Sequence, residues 1–381
     1  MRMTAVWDTT AVPRHEASDS RRRRGPTGAQ PVTLKTLADH LGLSPATISL
    51  VINRSPAARS IPPRTQERVL AAARRLHYRP NSVARSLQRQ RSFTIGVLVP
   101  EISEGYAALV MGGIEDYLLQ EGYLYFVASH RHRADLIDEY PRLLLERRIE
   151  GLIAVDTPCR QNLPVPVVAV SGHGRTRGVT NIEVNHSRAA RLGIEHLVSL
   201  GHRRIAIIKG QAFSSDTEPR WRAIRAAASR SGVSIDPRLV VQLQGDLPSP
   251  ELGHRVTHEL LAQGEPFTAV FAFNDIAAFG AIRALREAGR QVPDDVSVVG
   301  FDDVQTAAYH MPGLTTVRQP LRAMGEMAAS TLLKRIGDSS VGKKSSYPRV
   351  ITMDPELIVR ESTAVVVRLS SAVLPARARR S

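Results

Sequence analysis

Of the 381 residues only Cys159 is a cysteine, so no disulfide can form within the chain and no thiolate cluster can hold a metal. No stretch approaches the roughly 20 consecutive apolar residues that span a bilayer. The first 30 residues also lack an apolar run of signal-peptide length. These two gaps predict a cytoplasmic protein with no membrane partner. Catalytic signatures are missing as well: there is no HExxH helix, no lysine-bearing phosphate loop and no serine elbow. The glycines of SGHGRTRG follow a strand-like run but open no apolar helix, as a dinucleotide loop would. His254 and His258 share a helical face without HExxH or a nearby cysteine, and they read as surface histidines. Cys159 has no identifiable base and reads as an ordinary loop thiol. The sequence thus predicts no catalytic residue, no bound metal and no cofactor.

Acidic side chains are scarce at one end. Residues 1–92 hold 17 Lys and Arg against 5 Asp and Glu, a net of +12 within a whole-chain total of +15. That asymmetry places a polyanion-binding module in front of a near-neutral body, although charge alone does not choose between nucleic acid and an anionic membrane. A hydrophobic content of 43% supports packed cores, and the length fits about three folding units. Residues 1–30, with the bare block Arg21 to Arg24, and residues 364–381 read as disordered tails.

Short helices are expected from Val32 onward, in a head of residues 31–80. Thr33 can cap a helix carrying Leu34, Leu37, Ala38 and Leu41 on one face. Gly42 permits a turn, and Ser44 before Pro45 is a helix start: an oxygen cap, then a residue needing no amide partner. In the second helix Ile48, Val51 and Ile52 point inward, leaving Pro45, Ala46, Ser49, Leu50 and Asn53 more exposed. The pair makes a helix-turn-helix candidate. A third helix, from about Arg64 to Leu76, is expected to bury Val69, Leu70, Ala73 and Leu76. The second helix suits the major groove in width, its amino end toward the base edges. Thr47, Ser49 and the amides near the helix start suit phosphates. The caps Thr33 and Ser44 complete the expected DNA-binding set here, together with Asn53. A generic three-helix protein-interaction module is the competing reading.

Residues 81–91 join head to body. Val83, Ala84 and Leu87 form one face, with Arg85 beside them. Two turns are too short to be stable alone. An antiparallel copy from a second subunit would cover Val83 and Ala84 and present Leu87 as a minor-groove wedge; an ordinary linker would read the same way.

The body, residues 92–363, alternates buried-strand runs (FTIGVLVP, GLIAV, VPVVAV, RIAIIKG, FTAVFAF, VSVVGF) with helices, the mark of parallel sheets covered on both faces. A first lobe reaches roughly residue 185 and a second series follows. Ligands of such pairs bind at the strand ends. Asn274 closes FTAVFAFND, Asp302 closes VSVVGFDD, and Arg220 stands at a loop-to-helix boundary in SSDTEPRW. Paired acceptors with one guanidinium suit a polyhydroxylated solute, yet an Asn can simply cap its helix and an Arg–Asp pair can tie two loops. Tyr106, at a helix start, is equally a core aromatic.

The stretches VTLKTLADHLGLSPATISLVIN, HYRPNSVARSLQRQRSFTIGVLVP, SLGHRRIAII, FNDIAAFGAIRALREAGRQVPDDVSVVGFDD, LTTVRQPLRAMGEMAASTLL and ELIVREST together resemble the LacI family of bacterial transcriptional regulators, from about Val32 to Thr363. The resemblance implies an all-α helix-turn-helix head with a hinge helix and a two-lobed body like a periplasmic sugar-binding protein. It further implies a homodimer on a near-palindromic operator and a small effector, a carbohydrate, between the lobes. The positions matching Pro45, Ala46 and Leu50 face major-groove bases, and Leu87 matches the hinge wedge. Effector contacts map to Arg220, Asn274 and Asp302, with Tyr106 and Ser171 in the first lobe. Two departures stand out: SEGYAAL replaces an Asn-Pro-aromatic-aromatic run, and Ser171 replaces a common aspartate. A repressor is the favoured reading, an activator the main alternative, with an envelope solute-binding protein and a sugar-processing enzyme behind them.

Overall fold

The computed structural model describes residues 32–53, 55–78, 91–102, 105–159, 162–172, 176–245, 249–342 and 346–366. The N-terminal tail, most of the C-terminal one, and the linker with Arg85 and Leu87 lie outside these residues. The chain divides into two units between Gln88 and Arg89.

The first unit holds α1 (Leu34–Leu41), α2 (Pro45–Ile52) and α3 (Pro63–Arg75). Thr33 Oγ1 accepts from the Thr36 amide at 3.1 Å and starts α1. Gly42 ends it at φ 67°, a left-handed position that glycine adopts without strain. Leu37, Ala38, Ile48, Val51, Val69 and Ala72 form the core. Leu70, expected inside, is 37% exposed. The buried stripe runs from Val69 to Ala72, Ala73 and Leu76, and Leu70 is turned about 100° from Val69 around the helix axis. A short 3-10 turn, Pro56–Ser60, precedes α3.

In the second unit, one six-stranded sheet is ordered β2 (Leu124–Ser129), β1 (Thr94–Val99), β3 (Gly151–Val155), β4 (Val167–Val170), β5 (Val179–Val184) and β11 (Val350–Met353), all parallel. The other repeats that order as β7 (Val240–Gln242), β6 (Ile205–Lys209), β8 (Ala269–Ala272), β9 (Ser297–Asp302), β10 (Thr315–Arg318) and β12 (Glu356–Ile358), with only β12 antiparallel. Strands β1, β3, β4, β8 and β9 are buried throughout, as runs of Val, Ile and Ala covered on two faces must be. The helices are α4 (Tyr106–Gln120), α5 (Ala134–Glu146), α6 (His186–Ser199), α7 (Thr217–Arg230), α8 (Pro250–Ala262), α9 (Asp275–Glu287) and α10 (Leu321–Ser340).

The first lobe does not end near residue 185: the chain returns to it with α10 and β11. It therefore crosses between the lobes after β5, after β10 and after β11. Two crossings are laced together. The Asn185 amide donates to Met353 O at 2.8 Å, and the Asn185 side chain and Arg188 both donate to Asp354 at 3.0 Å. At the ends of the unit, Arg91, expected in the linker, is tied to Glu150 at 2.8 Å. Ala364 and Val366, expected in the tail, donate to Ser297 Oγ at 3.0 Å and Leu200 O at 2.9 Å. Among the described residues no helix is long and apolar enough to cross a membrane.

Glycines set two helix contacts. A Cβ on Gly113 would strike the Arg322 carbonyl and one on Gly325 the Val110 carbonyl, so α4 and α10 touch backbone to backbone. Gly253 against Ala277 and Gly280 against Pro250 do the same for α8 and α9. Because a backbone carbonyl cannot swing aside as a side chain can, Gly280→Ala is expected to push α9 off α8 and cost about 1–3 kcal/mol in chemical denaturation. An unchanged midpoint would mean that the helices separate freely.

Candidate functional site

In the head, α2 presents its amino end. Ser44 Oγ accepts from the Thr47 amide at 3.1 Å and lies 2.9 Å from Thr47 Oγ1, while Pro45 fills the first helical position. Thr33, Ser44, Pro45 and Ala46 are exposed; Thr47, Ser49, Leu50 and Asn53 are half-buried. Asn53 donates to Ser49 Oγ at 3.1 Å. Leu50 is absent from the side chains packed on the head's core, whereas Ile48, Val51 and Ile52 all belong to it. The surface left by these residues is small, uncharged and partly apolar.

In the body, Tyr106, Arg220, Asn274 and Asp302 line one cavity of about 760 Å³, its open mouth included. Asn274 caps α9, its Oδ1 accepting from the Ala277 amide at 2.9 Å, which leaves Nδ2 for other partners. Arg220 is buried with its guanidinium 3.7 Å from the Phe301 ring centre and 4.4 Å from that of Phe273. It donates to Asp216 at 3.0 Å and to the Phe273 carbonyl, and its Nε has no acceptor among the described residues. Asp302 accepts from Gln319 at 2.6 Å. Burial pushes its carboxyl up to about 7 against the opposing pull of Arg220 and Gln319, with Asp216 adding to the rise.

Ser171 is not among the lining residues. It lies behind Tyr106, whose hydroxyl donates to Ser171 Oγ at 2.8 Å. Burial first, then the carboxylates of Asp216 and Asp156, holds the Tyr106 phenol well above its usual range. Across the lobes, the Ser215 hydroxyl lies 3.1 Å from Asp156 Oδ1 and within bonding reach of the Ser171 carbonyl. Asp156, Ser171 and Asp302 all have positive φ, at 41°, 52° and 110°. Such strain collects where a site over-determines its backbone.

The sequence reading missed His132, Asp156, Phe213, Asp216 and Phe273, which share the cavity wall. Asp156 had the signal used for Asp302, an acid directly after a buried strand, and Phe273 precedes Asn274. Cys159 is half-buried, and burial pushes its thiol up to about 11, which leaves it inert.

A two-lobed α/β body with a polar interlobe cavity, carried on one chain with a helix-turn-helix head, defines a ligand-binding regulator of DNA. Comparison with known proteins agrees. A periplasmic binding protein-like domain matches residues 194–363, and the model for bacterial regulatory proteins of the lacI family matches residues 33–81. The HTH-type transcriptional repressor PurR of Aliivibrio fischeri is 33% identical over 339 residues, covering 87% of this chain and 98% of that protein. A lac repressor dimer bound to operator and the anti-inducer ONPF superposes with TM-score 0.77 at 28% identity, over 88% of this chain and 100% of that one. The regulator CelR in complex with cellobiose superposes with TM-score 0.63 at 29% identity, over 87% and 99%. The chain belongs to the lacI family and is a DNA-binding transcriptional repressor.

The buried Asp302 makes stability depend on pH. With its carboxyl raised from 3.8 to about 7, the folded protein keeps a proton that the unfolded chain releases, so the stabilisation is full below pH 3.8 and is lost as pH rises to about 7. Asp302→Asn should flatten that fall in a pH series of urea denaturations; parallel curves for the two proteins would mean that Asp302 is ionised throughout.

Proposed function

We propose that this repressor works in the cytoplasm as a homodimer on a near-palindromic operator, and that a small polyhydroxylated effector, a sugar, sets its occupancy from the interlobe cavity. The working divisions are a head of residues 31–80, a hinge of residues 81–90 and a body from Arg91, which pairs with Glu150. In the head, Thr33, Ser44, Thr47, Ser49 and Asn53 serve the phosphates, while Pro45, Ala46 and Leu50 meet base edges. Arg85 and Leu87 of the hinge hold the central minor groove. Apolar contact by Leu50 favours a thymine methyl over the acceptor edge of guanine. Dimerisation is supported by the lac repressor dimer and by an exposed apolar patch in the first lobe: Leu119 is 75%, Leu124 72% and Phe126 47% exposed.

The observation that carries the effector reading is the charge and shape of the cavity. Among the described residues its wall sets the acids Glu101, Asp156, Asp216 and Asp302 against one guanidinium, Arg220, with the rings of Tyr106, His132, Phe213 and Phe273 between them. An anion would meet a surplus of like charge. A neutral polyol instead finds acceptors for its hydroxyl protons, donors in Arg220 and Asn274, and apolar faces for its C–H bonds. The cellobiose complex of CelR is in keeping with this class. Full switching between two occupancies requires the effector to favour one lobe arrangement by about 5.5 kcal/mol.

Purified protein is expected to retard one palindrome over unrelated duplexes, with log K falling linearly against log salt; equal binding to every duplex would refute a specific operator. Leu50→Ala should change base preference at one half-site position while moving stability by less than about 0.5 kcal/mol. Lowered stability with unchanged preference would place Leu50 in the core. In a panel of neutral sugars, sugar phosphates and heterocyclic bases, a neutral sugar at about 100 times its Kd should raise stability by about 2.7 kcal/mol and shift operator affinity. A base or a phosphate acting alone would exclude the sugar class.

A further inference from the structure

We propose that His254, His258 and Glu287 form a surface site for a divalent transition metal of the zinc class, clamping α8 to α9. The two histidines sit one helical turn apart on α8, so their rings share a face, at 4.5 Å between centroids and 74° between planes. The third donor is remote in sequence and is delivered by packing. Gly253 and Gly280 let the two backbones touch, which carries the last residue of α9, Glu287, up to the histidine face.

The donor atoms are then spaced as a small tetrahedral shell requires. Zinc bonds of about 2.0–2.2 Å set neighbouring ligand atoms about 3.3–3.5 Å apart. His258 Nε2 lies 3.3 Å from His254 Nε2 and 3.4 Å from Glu287 Oε2. Only the His254–Glu287 edge, at 2.6 Å, is shorter. A hydrogen-bonding proton holds that edge closed, and the metal would replace it, the proton leaving to solvent. Arg283 donates to the other oxygen, Oε1, at 2.8 Å and so orients the carboxylate with Oε2 free for the ion. Two imidazoles and a carboxylate favour zinc, cobalt, nickel or copper over magnesium or calcium, which prefer all-oxygen shells. The residues are partly exposed, with side-chain accessibilities of 29%, 45% and 42%, so an ion reaches them without unfolding and water completes the shell.

The test titrates zinc chloride into chelator-treated, full-length protein by calorimetry. One saturable equivalent per chain is expected, lost in His254→Ala/His258→Ala and lost or strongly weakened in Glu287→Gln, an exposed and nearly isosteric change. No saturable equivalent in the wild type, or wild-type binding by either variant, would overturn the proposal. Independently of any variant, zinc-edge X-ray absorption of the loaded wild-type protein should show two imidazoles with oxygen completing the shell. A shell without two imidazoles would equally overturn it.

Discussion

Parallel strands impose one rule on this body. Each must be followed by a crossing back to the starting edge, so all strands of a sheet finish on the same side. Both lobes share one strand order, and every strand except the antiparallel β12 obeys the rule. Asp156 follows β3, Ser171 follows β4, Asn274 stands just beyond β8 and Asp302 ends β9. Their convergence is therefore a consequence of topology rather than of any separate device. Of the other wall residues, Tyr106 and Arg220 come from helices that follow β1 and β6. Positive φ at Asp156, Ser171 and Asp302 is the local strain of turning a chain sharply at a strand end beside the cavity.

Charge is managed by pairing before any ligand arrives. Burying Arg220 would be costly on its own, and four contacts offset that cost: Asp216, the Phe273 carbonyl, and the ring faces of Phe273 and Phe301. Asp302 receives a hydrogen bond from Gln319 but no direct cation, which is why burial dominates its ionisation. The same few groups thus settle both the rigidity of the cavity wall and the kind of molecule it tolerates.

Much of this was legible in the sequence. Helix caps at Thr33 and Ser44, the inward stripe of Ile48, Val51 and Ile52, and the long Val-rich runs are local signals, and each became the expected element. What was not legible depends on long-range packing. The return of α10 and β11 to the first lobe leaves no mark on β11, a short edge strand whose burial alternates. Phe213 and Asp216 sit in a loop that Ser215 ties to Asp156 and Ser171 of the facing lobe, contacts that no local spacing announces. Glu287 lies 29 residues beyond His258, and no spacing rule connects them; two glycine contacts do. The Leu70 error is of another kind, one position's rotation around a helix, where apolar character alone outweighed the phase of the stripe.

The crossings between the lobes leave from β5, β10 and β11, with β12 receiving the last, and these strands are neighbours at one edge of each sheet. Asp354 further fastens two of them to each other. Mechanically this is a door hung on one jamb. Crossings gathered at one edge oppose sliding and twisting more than swing, the geometry of a hinge. Whatever occupies the cavity can then report itself to the rest of the molecule through a single angle. Chemically different molecules that prop the door equally wide are indistinguishable downstream, so discrimination has to be completed at the cavity wall, before the signal is sent.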